Sequence, residues 1–434
     1  MHVGFYHDTT HLNEWDWEEV LNGRVPLSGT DGQMFRIVHE LAKRSSIECT
    51  LVTTCAGTTP SATGASQVAV DDFVGAVRHA HSHQFEVLVF VNIHSPDVIE
   101  GLSVADRRQQ ACIAWCQNGP WRPMSTLYAE TDAVRRVVCV TRPHADIFRD
   151  KSVFEKIEVV HNGVDAEWYR PHSSLSLDRQ SICYVGAITP DKGFHHIARA
   201  WSHVRDYFPD AKLTVVGGAH LYDRSANLGP LNVASPSYEY AHLVPVLGSS
   251  RREALKDHRV DFQGLLPPRD TRNIMQACTL GIVNPNLEYG QSLETFCVAA
   301  AEFQAAGTPV VGGNRRGLRE TVQHEETGIL IDSTNELAPT LRYFLNRPEK
   351  ARFMGERGLQ WVTEMFDFPI VVKRWQQVLE ATAQDKPPTP PSFSFQRAVP
   401  KTFIREGIRR LHSFGGEGRI PLLDRLLDTL RGMP

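Results

Sequence analysis

The strongest constraint on this chain is an alternation that runs along it twice: short apolar runs, each long enough for one strand, separated by stretches with helical periodicity. The candidate strands of the first half are "HVGFYH", "ECTLVTT", "EVLVFVNI", "CIAWCQN", "RVVCVT" and "IEVVHNG". After the first of them, Met34, Ile37, Val38 and Leu41 recur at helical spacing within "DGQMFRIVHELAKR". Residues 171–180, "PHSSLSLDRQ", are polar and carry no apolar period, which reads as a linker. The alternation then restarts with "SICYVGAI", "KLTVVGG", "VDFQGLL", "LGIVNPN", "TPVVGG" and "GILI". Strands that alternate with helices make parallel sheets, because a parallel pair needs a crossover long enough to hold a helix.

The expected fold class is therefore α/β, with two Rossmann-like lobes facing a central cleft, one over 1–172 and one over 180–365. Ligands of such sheets bind outside the carboxyl ends of the strands. A further helix is expected over 366–385, packing back towards the first lobe. "KPPTPPSF" (386–393) cannot continue a helix. Beyond it, residues 401–434 are amphipathic and hold seven Lys/Arg against four Asp/Glu. Such a tail can dock on its own protein, pair with a second subunit or rest on an anionic membrane. A surplus of three charges is small for surface binding, so self-docking is the expected state.

Composition excludes several classes. At 434 residues, 41% hydrophobic and 22% charged, the chain is a globular protein too long for one ordinary core. A net charge of −4 calls for no nucleic acid partner. The eight cysteines form no CxxC pair and several sit inside apolar runs, so they are expected to be reduced and buried. The first residues lack the basic head of a signal peptide, and no stretch approaches the ~20 apolar residues of a membrane span. A cytoplasmic location is expected, with peripheral contact at the inner face of a membrane left open. There is no G-x-G-x-x-G, no Walker A loop, no HExxH and no G-x-S-x-G.

One stretch stands out chemically. "ETFCVAAAE" (294–302) has a glutamate at each end and no charge between them. The residues that follow Glu294 are good helix formers, and Gly307 with Pro309 stops the helix. Glu302 thus falls inside an apolar helix, where a carboxylate is rare unless something satisfies it. A helix N-terminus is a seat for a diphosphate. The two carboxylates, ~12 Å apart along a helix, could then hold a sugar on one side and a ribose on the other. Alternatively Glu302 pairs with a nearby arginine and Glu294 faces water.

"ETFCVAAAEFQAAGTPVV" resembles the E-x7-E signature of the family-4 retaining glycosyltransferases, which have the GT-B fold. "YVGAITPDKG" (184–193), "VDFQGLLPP" (260–268), "GLRETVQHEETGILI" (317–331) and "VVHNGVDAEWYRP" (159–171) resemble further motifs of that family in the right order. The resemblance implies transfer of a sugar from a nucleotide-diphosphate sugar, with UDP preferred on family frequency alone. The acceptor would be a hydroxyl of a glycan, a lipid-linked sugar or a small molecule. It implies no cofactor and no metal. It also implies that Glu294 holds donor-sugar hydroxyls, Glu302 the ribose, and Lys192 the leaving diphosphate. Gly29, Gly186, Phe262, Thr295 and Phe296 would complete the donor site.

The chain departs from the family pattern at three places. Ala187 stands where an arginine often follows the glycine, and Arg315 or Arg316 would have to replace it. Cys297 replaces a glycine. "AWCQNGPW" lacks the family histidine, which leaves Gln117 or Asn118 to orient the reactants, with Asn118 expected to be the catalytic one. Two other functions share the fold: a nucleotide-sugar epimerase and a catalytically weak binding subunit. Residues 7–28 read as a long loop in which Trp15 and Trp17 stack on an acceptor or pack the loop down; His7 and His11 stand four apart, a minor metal candidate. Residues 221–250 read as an insertion without legible chemistry.

Overall fold

The computed structural model describes residues 1–12, 15–57, 64–119, 123–171, 178–221, 225–287 and 294–392. The middle of the polar linker (172–177), the end of the "AWCQNGPW" stretch and the tail 401–434 lie outside the described residues.

Two parallel sheets carry the chain. The first is built from β1 (His2–His7), β2 (Glu48–Thr53), β3 (Ser66–Ala69), β4 (Val87–Val91), β5 (Cys112–Cys116), β6 (Val134–Cys139) and β7 (Ile157–Val159), in the order β3-β2-β1-β4-β5-β6-β7. The second holds β8 (Asp178–Val185), β9 (Lys212–Val216), β10 (Val260–Gly264), β11 (Cys278–Ile282), β12 (Val310–Gly313) and β13 (Gly328–Ile331), in the order β10-β9-β8-β11-β12-β13. Both orders step outward one way from the first strand and then reverse. The reversal opens a crevice between β1 and β4 in one sheet and between β8 and β11 in the other. The central strands are fully buried, as expected when helices cover both faces.

The structure alters the sequence reading in two places. The presumed linker is shorter, since Asp178–Gln180 already belong to β8. The presumed loop 7–28 contains a helix, Trp17–Leu21, whose N-cap Asp16 accepts from the Glu19 N–H at 3.1 Å. Trp15 and Trp17 are buried against Phe35, and the Trp17 indole donates to the Phe35 carbonyl at 3.2 Å. They pack the segment down and are not available to an acceptor.

The chain crosses between lobes twice at one place. The Val164 N–H donates to Phe366 O at 2.9 Å and the Phe368 N–H to Val164 O at 3.1 Å. Gly163 is required there, because a Cβ would lie 2.4 Å from the Phe368 ring. The helix Phe368–Ala383 then packs on the first lobe, with Trp375 set edge-on against Phe5 and Trp115. Its far end is fixed by fully buried Arg136, which is paired with Glu158 at 2.9 Å and donates to Thr382 Oγ1 and the Lys386 carbonyl. Among the described residues no helix is long and apolar enough to cross a membrane.

The described residues 225–250 dock onto the second lobe. Buried Glu239 accepts from the N–H groups of Leu231, Val233 and Ala234, and Tyr238 places its hydroxyl 2.8 Å from His195 Nδ1 on the helix Phe194–Arg205. Burial, reinforced by His196 and His242, depresses His195 to about 3, so it is neutral.

Candidate active site

A cavity of about 590 Å³ lies between the lobes at the carboxyl edges of both sheets. Two helices begin at it, Gly29–Arg44 from the first lobe and Val298–Ala305 from the second. A Cβ at Gly29 would meet Val298 at 3.5 Å, so the two N-termini face one another closely. Ser28 Oγ accepts from the Asp31 N–H at 3.2 Å in the first of them, and the partial positive charges of both N-termini converge on the same space.

The second lobe supplies most of the charged groups, Asp191, Lys192, Glu294 and Glu302, against Arg36 and Asp165 of the first. Lys192 Nζ lies 2.8 Å from Glu294 Oε2, and Asn284 Nδ2 donates to the same oxygen at 3.2 Å. Burial raises the Glu294 carboxyl, but the Lys192 charge and these hydrogen bonds outweigh it, and the pKa falls below the ordinary value. Glu294 is ionised. Asn286, two residues beyond Asn284, donates its amide to the Pro190 and Asp191 carbonyls, both at 3.1 Å, and fixes the turn that carries Lys192. Gly193, at φ +68°, closes that turn; a Cβ there would approach Asn286 Cβ to 2.8 Å.

Glu302 sits one turn into the second helix and is half-buried. Tyr169, arriving from the crossover, donates its hydroxyl to Oε1 at 2.7 Å. Burial raises the carboxyl above its usual range, against opposing pulls from Tyr169 and Arg36. Glu302 therefore has a tyrosine partner, not the arginine ion pair that the sequence left open.

The first lobe contributes amides and backbone. Gln117 and Asn162 exchange two side-chain bonds of 2.8 Å, which consumes the Gln117 amide. Three successive carbonyls of this loop are held: Gln117 O by Thr295 Oγ1 at 2.5 Å, Asn118 O by Asn92 Nδ2 at 3.2 Å, and Gly119 O by His144 Nε2. Buried His144 accepts from Val140 N at its other nitrogen, so it is the neutral Nε2–H form, and desolvation lowers it to about 4. Across the cleft, His161 meets Glu320 at 2.9 Å, and the Arg142 N–H donates to the same carboxylate at 2.6 Å.

Gly29, Asn118, Gly186, Lys192, Glu294, Thr295, Phe296 and Glu302 all border the cavity. Phe262 does not. Strand alternation turns its ring into the second-lobe core against Phe194, and Leu265 and Leu266 further along reach the cavity instead. Arg315 and Arg316 are not among the residues that border it, whereas Ala187 is. His7 and His11 both point at Asp31, at 2.7 and 3.2 Å. Sequence reasoning missed Asn284, Asn286, Tyr169 and Arg36. The Asn-Pro-Asn after β11 carried a turn signal, but its partners are distant in sequence.

This two-sheet, cleft-centred architecture is the GT-B fold. Residues 166–361 match the family model described as glycosyl transferases group 1. The chain is 26% identical over 257 residues to a putative glycosyltransferase, YtcC, of Bacillus subtilis, which covers 55% of this chain and 58% of that one. It is 26% identical over 218 residues to a GDP-mannose-dependent alpha-(1-6)-phosphatidylinositol monomannoside mannosyltransferase of Mycobacterium tuberculosis, which covers 48% and 51%. The chain thus spans about half the length of the curated relatives it matches. Among solved structures, Anabaena Alr3699/HepE in complex with UDP-glucose superposes with a TM-score of 0.62 at 15% identity, over 88% of this chain and 100% of that one.

Proposed function

We propose that this protein is a retaining glycosyltransferase that moves a sugar from a nucleotide-diphosphate sugar, UDP being the preferred nucleotide, to a hydroxyl acceptor. The observation that carries this reading is the placement of Glu294, Lys192 and Glu302 around two convergent helix N-termini in one interlobe cavity. The neighbour bound to UDP-glucose and the group 1 family match support it.

In this reading Glu302 accepts from the ribose, its Oε1 being steadied by Tyr169. The diphosphate lies at the helix N-termini, where dipoles and Lys192 stabilise the charge that develops as the glycosidic bond breaks. Ionised Glu294 accepts from donor-sugar hydroxyls. Donor binding draws Lys192 from Glu294, 2.8 Å away, towards phosphate. Asn118 borders the site where the family histidine would stand, and it orients without titrating. The acceptor enters on the face the diphosphate leaves, and the leaving phosphate takes its proton. No divalent metal is needed, because backbone dipoles and cationic side chains carry the charge.

The test is incubation with UDP-, GDP- and ADP-sugars and a panel of glycan and lipid-linked acceptors, following released nucleoside diphosphate and reading the product anomer by proton NMR. Release with transfer and an unchanged anomeric configuration is expected. An inverted product contradicts retention. A donor converted to its epimer without acceptor identifies an epimerase, and binding without turnover identifies a binding subunit.

A further inference from the structure

Ala187 borders the cavity without supplying a charge, and the loop arginines 315 and 316 do not border it. Among the described residues that border it, two carry positive charge, Lys192 and Arg36. Arg36 belongs to the other lobe. It lies on the helix that begins at Gly29, and Gly29, Gly32, Gln33 and Arg36 form one continuous stripe facing the cavity. A Cβ on the first residue of that stripe would meet Val298 at 3.5 Å, at the helix N-terminus where the diphosphate is placed. Side chains on a helix lean towards its N-terminus, and the Arg36 guanidinium lies within electrostatic reach of Glu302, on the helix that begins at that seat.

Its charge acts on the Glu302 carboxylate and the Tyr169 hydroxyl of the same cavity, but its direct contacts are weak. Nη2 lies 3.5 Å from the Val20 carbonyl, the outer limit of a hydrogen bond, and the guanidinium stands 5.9 Å from the Trp168 ring centre. Arg272 already occupies that ring at 4.2 Å and donates to the Trp168 carbonyl at 2.9 Å. Arg36 is therefore not required to hold Trp168. Its ordering would be completed by an anion with geometry suited to a fork of donors.

We propose that Arg36 is a phosphate-binding residue of the donor site, reaching from the first lobe to the nucleotide's phosphates and supplying the charge that Ala187 does not. This rests on the nucleotide-sugar reading above. It makes donor binding an interlobe event: Lys192 holds the phosphates from one side and Arg36 from the other, so a diphosphate draws the cleft shut.

The experiment is isothermal titration of wild type, Arg36→Ala and Arg36→Lys with nucleoside, nucleoside monophosphate and nucleoside diphosphate of the preferred base, with Lys192→Ala alongside. Arg36→Ala is expected to lose about 10–100-fold in diphosphate affinity while its nucleoside affinity is unchanged, which also shows that the variant is folded. Arg36→Lys, keeping the charge but not the fork, should fall between. Equal loss for nucleoside and diphosphate would move Arg36 to the ribose or the fold and overturn the proposal, as would no loss at all. A wild type that binds no uridine, guanosine or adenosine phosphate would sink the nucleotide-sugar reading itself, a different result from a wild type that binds and an Arg36 variant that binds equally well.

Discussion

The two lobes present the same topology to the cleft but opposite chemistry. On the second lobe the cleft wall is ionic and clamped: Lys192 and Glu294 are paired, and Asn284 and Asn286 fix the loops that carry them. On the first lobe it is mostly glycine, amide and backbone, with Gln117 locked to Asn162 and Gln33 locked to Gly163 through bonds of 2.7 and 2.8 Å. Arg36 and Asp165 apart, one wall is built to meet charge and the other to hold a shape. Substitutions on the two walls should therefore fail in different ways.

The largest effect is expected from Lys192→Ala. Loss of a charge aimed at the leaving group should lower turnover by about 10²–10³, with the protein still folded by circular dichroism. A loss confined to KM would break the contrast, since it would make Lys192 a binding group only. Next comes acid sensitivity. Buried neutral His144 has a folded pKa of about 4, below its ordinary 6.5. The unfolded chain takes up the proton first, so stability is full above pH 6.5 and is lost as pH falls from there to 4. This amounts to a loss on the order of 3 kcal/mol. Neutral His195 adds to the loss in the same direction. Urea midpoints taken from pH 7 to 4 should show the decline, and His144→Asn should flatten it; a decline of equal slope in that variant would remove His144 from the account.

Gln33→Ala should behave as a first-lobe change. It strands the Gly163 N–H and C=O, costs about 1–3 kcal/mol in denaturant unfolding, and spares turnover by the folded fraction. The smallest effect belongs to Cys297, which sits at φ +70° and ψ +78°, a conformation that favours glycine. Relief of strain and loss of a buried thiol should nearly cancel in Cys297→Gly, within about 1 kcal/mol. Cys297→Ala keeps the strain and loses the thiol, so it should unfold at lower urea than the glycine variant.

Most of the fold was legible because each buried parallel strand is a compact apolar run, and "EVLVFVNI" or "KLTVVGG" can hardly be read otherwise. β3 was not legible: "SQVA" is a short, half-exposed edge strand with no apolar run to mark it. The helix Trp17–Leu21 was hidden because five residues are too few for a period to emerge. Within the site, Glu294, Glu302 and Lys192 drew attention because charge is conspicuous in an apolar setting. Phe262 was misplaced because spacing alone does not say which face of a strand meets a ligand. Asn286, Tyr169 and Arg36 act across gaps of about a hundred residues or more, or across the cleft, and no local pattern carries such partners.

In the proposed nucleotide-sugar site, Glu302 is the residue that reads the ribose. The most direct measurement is thermal unfolding of wild type and Glu302→Ala against UDP, GDP, ADP and their common sugar conjugates. At 100 times its dissociation constant a ligand stabilises the fold by about 2.7 kcal/mol. One nucleotide series is expected to raise the wild-type midpoint by a few degrees, and Glu302→Ala to respond much less. A flat wild-type response up to millimolar concentrations, or an equal shift in the variant, would contradict this assignment.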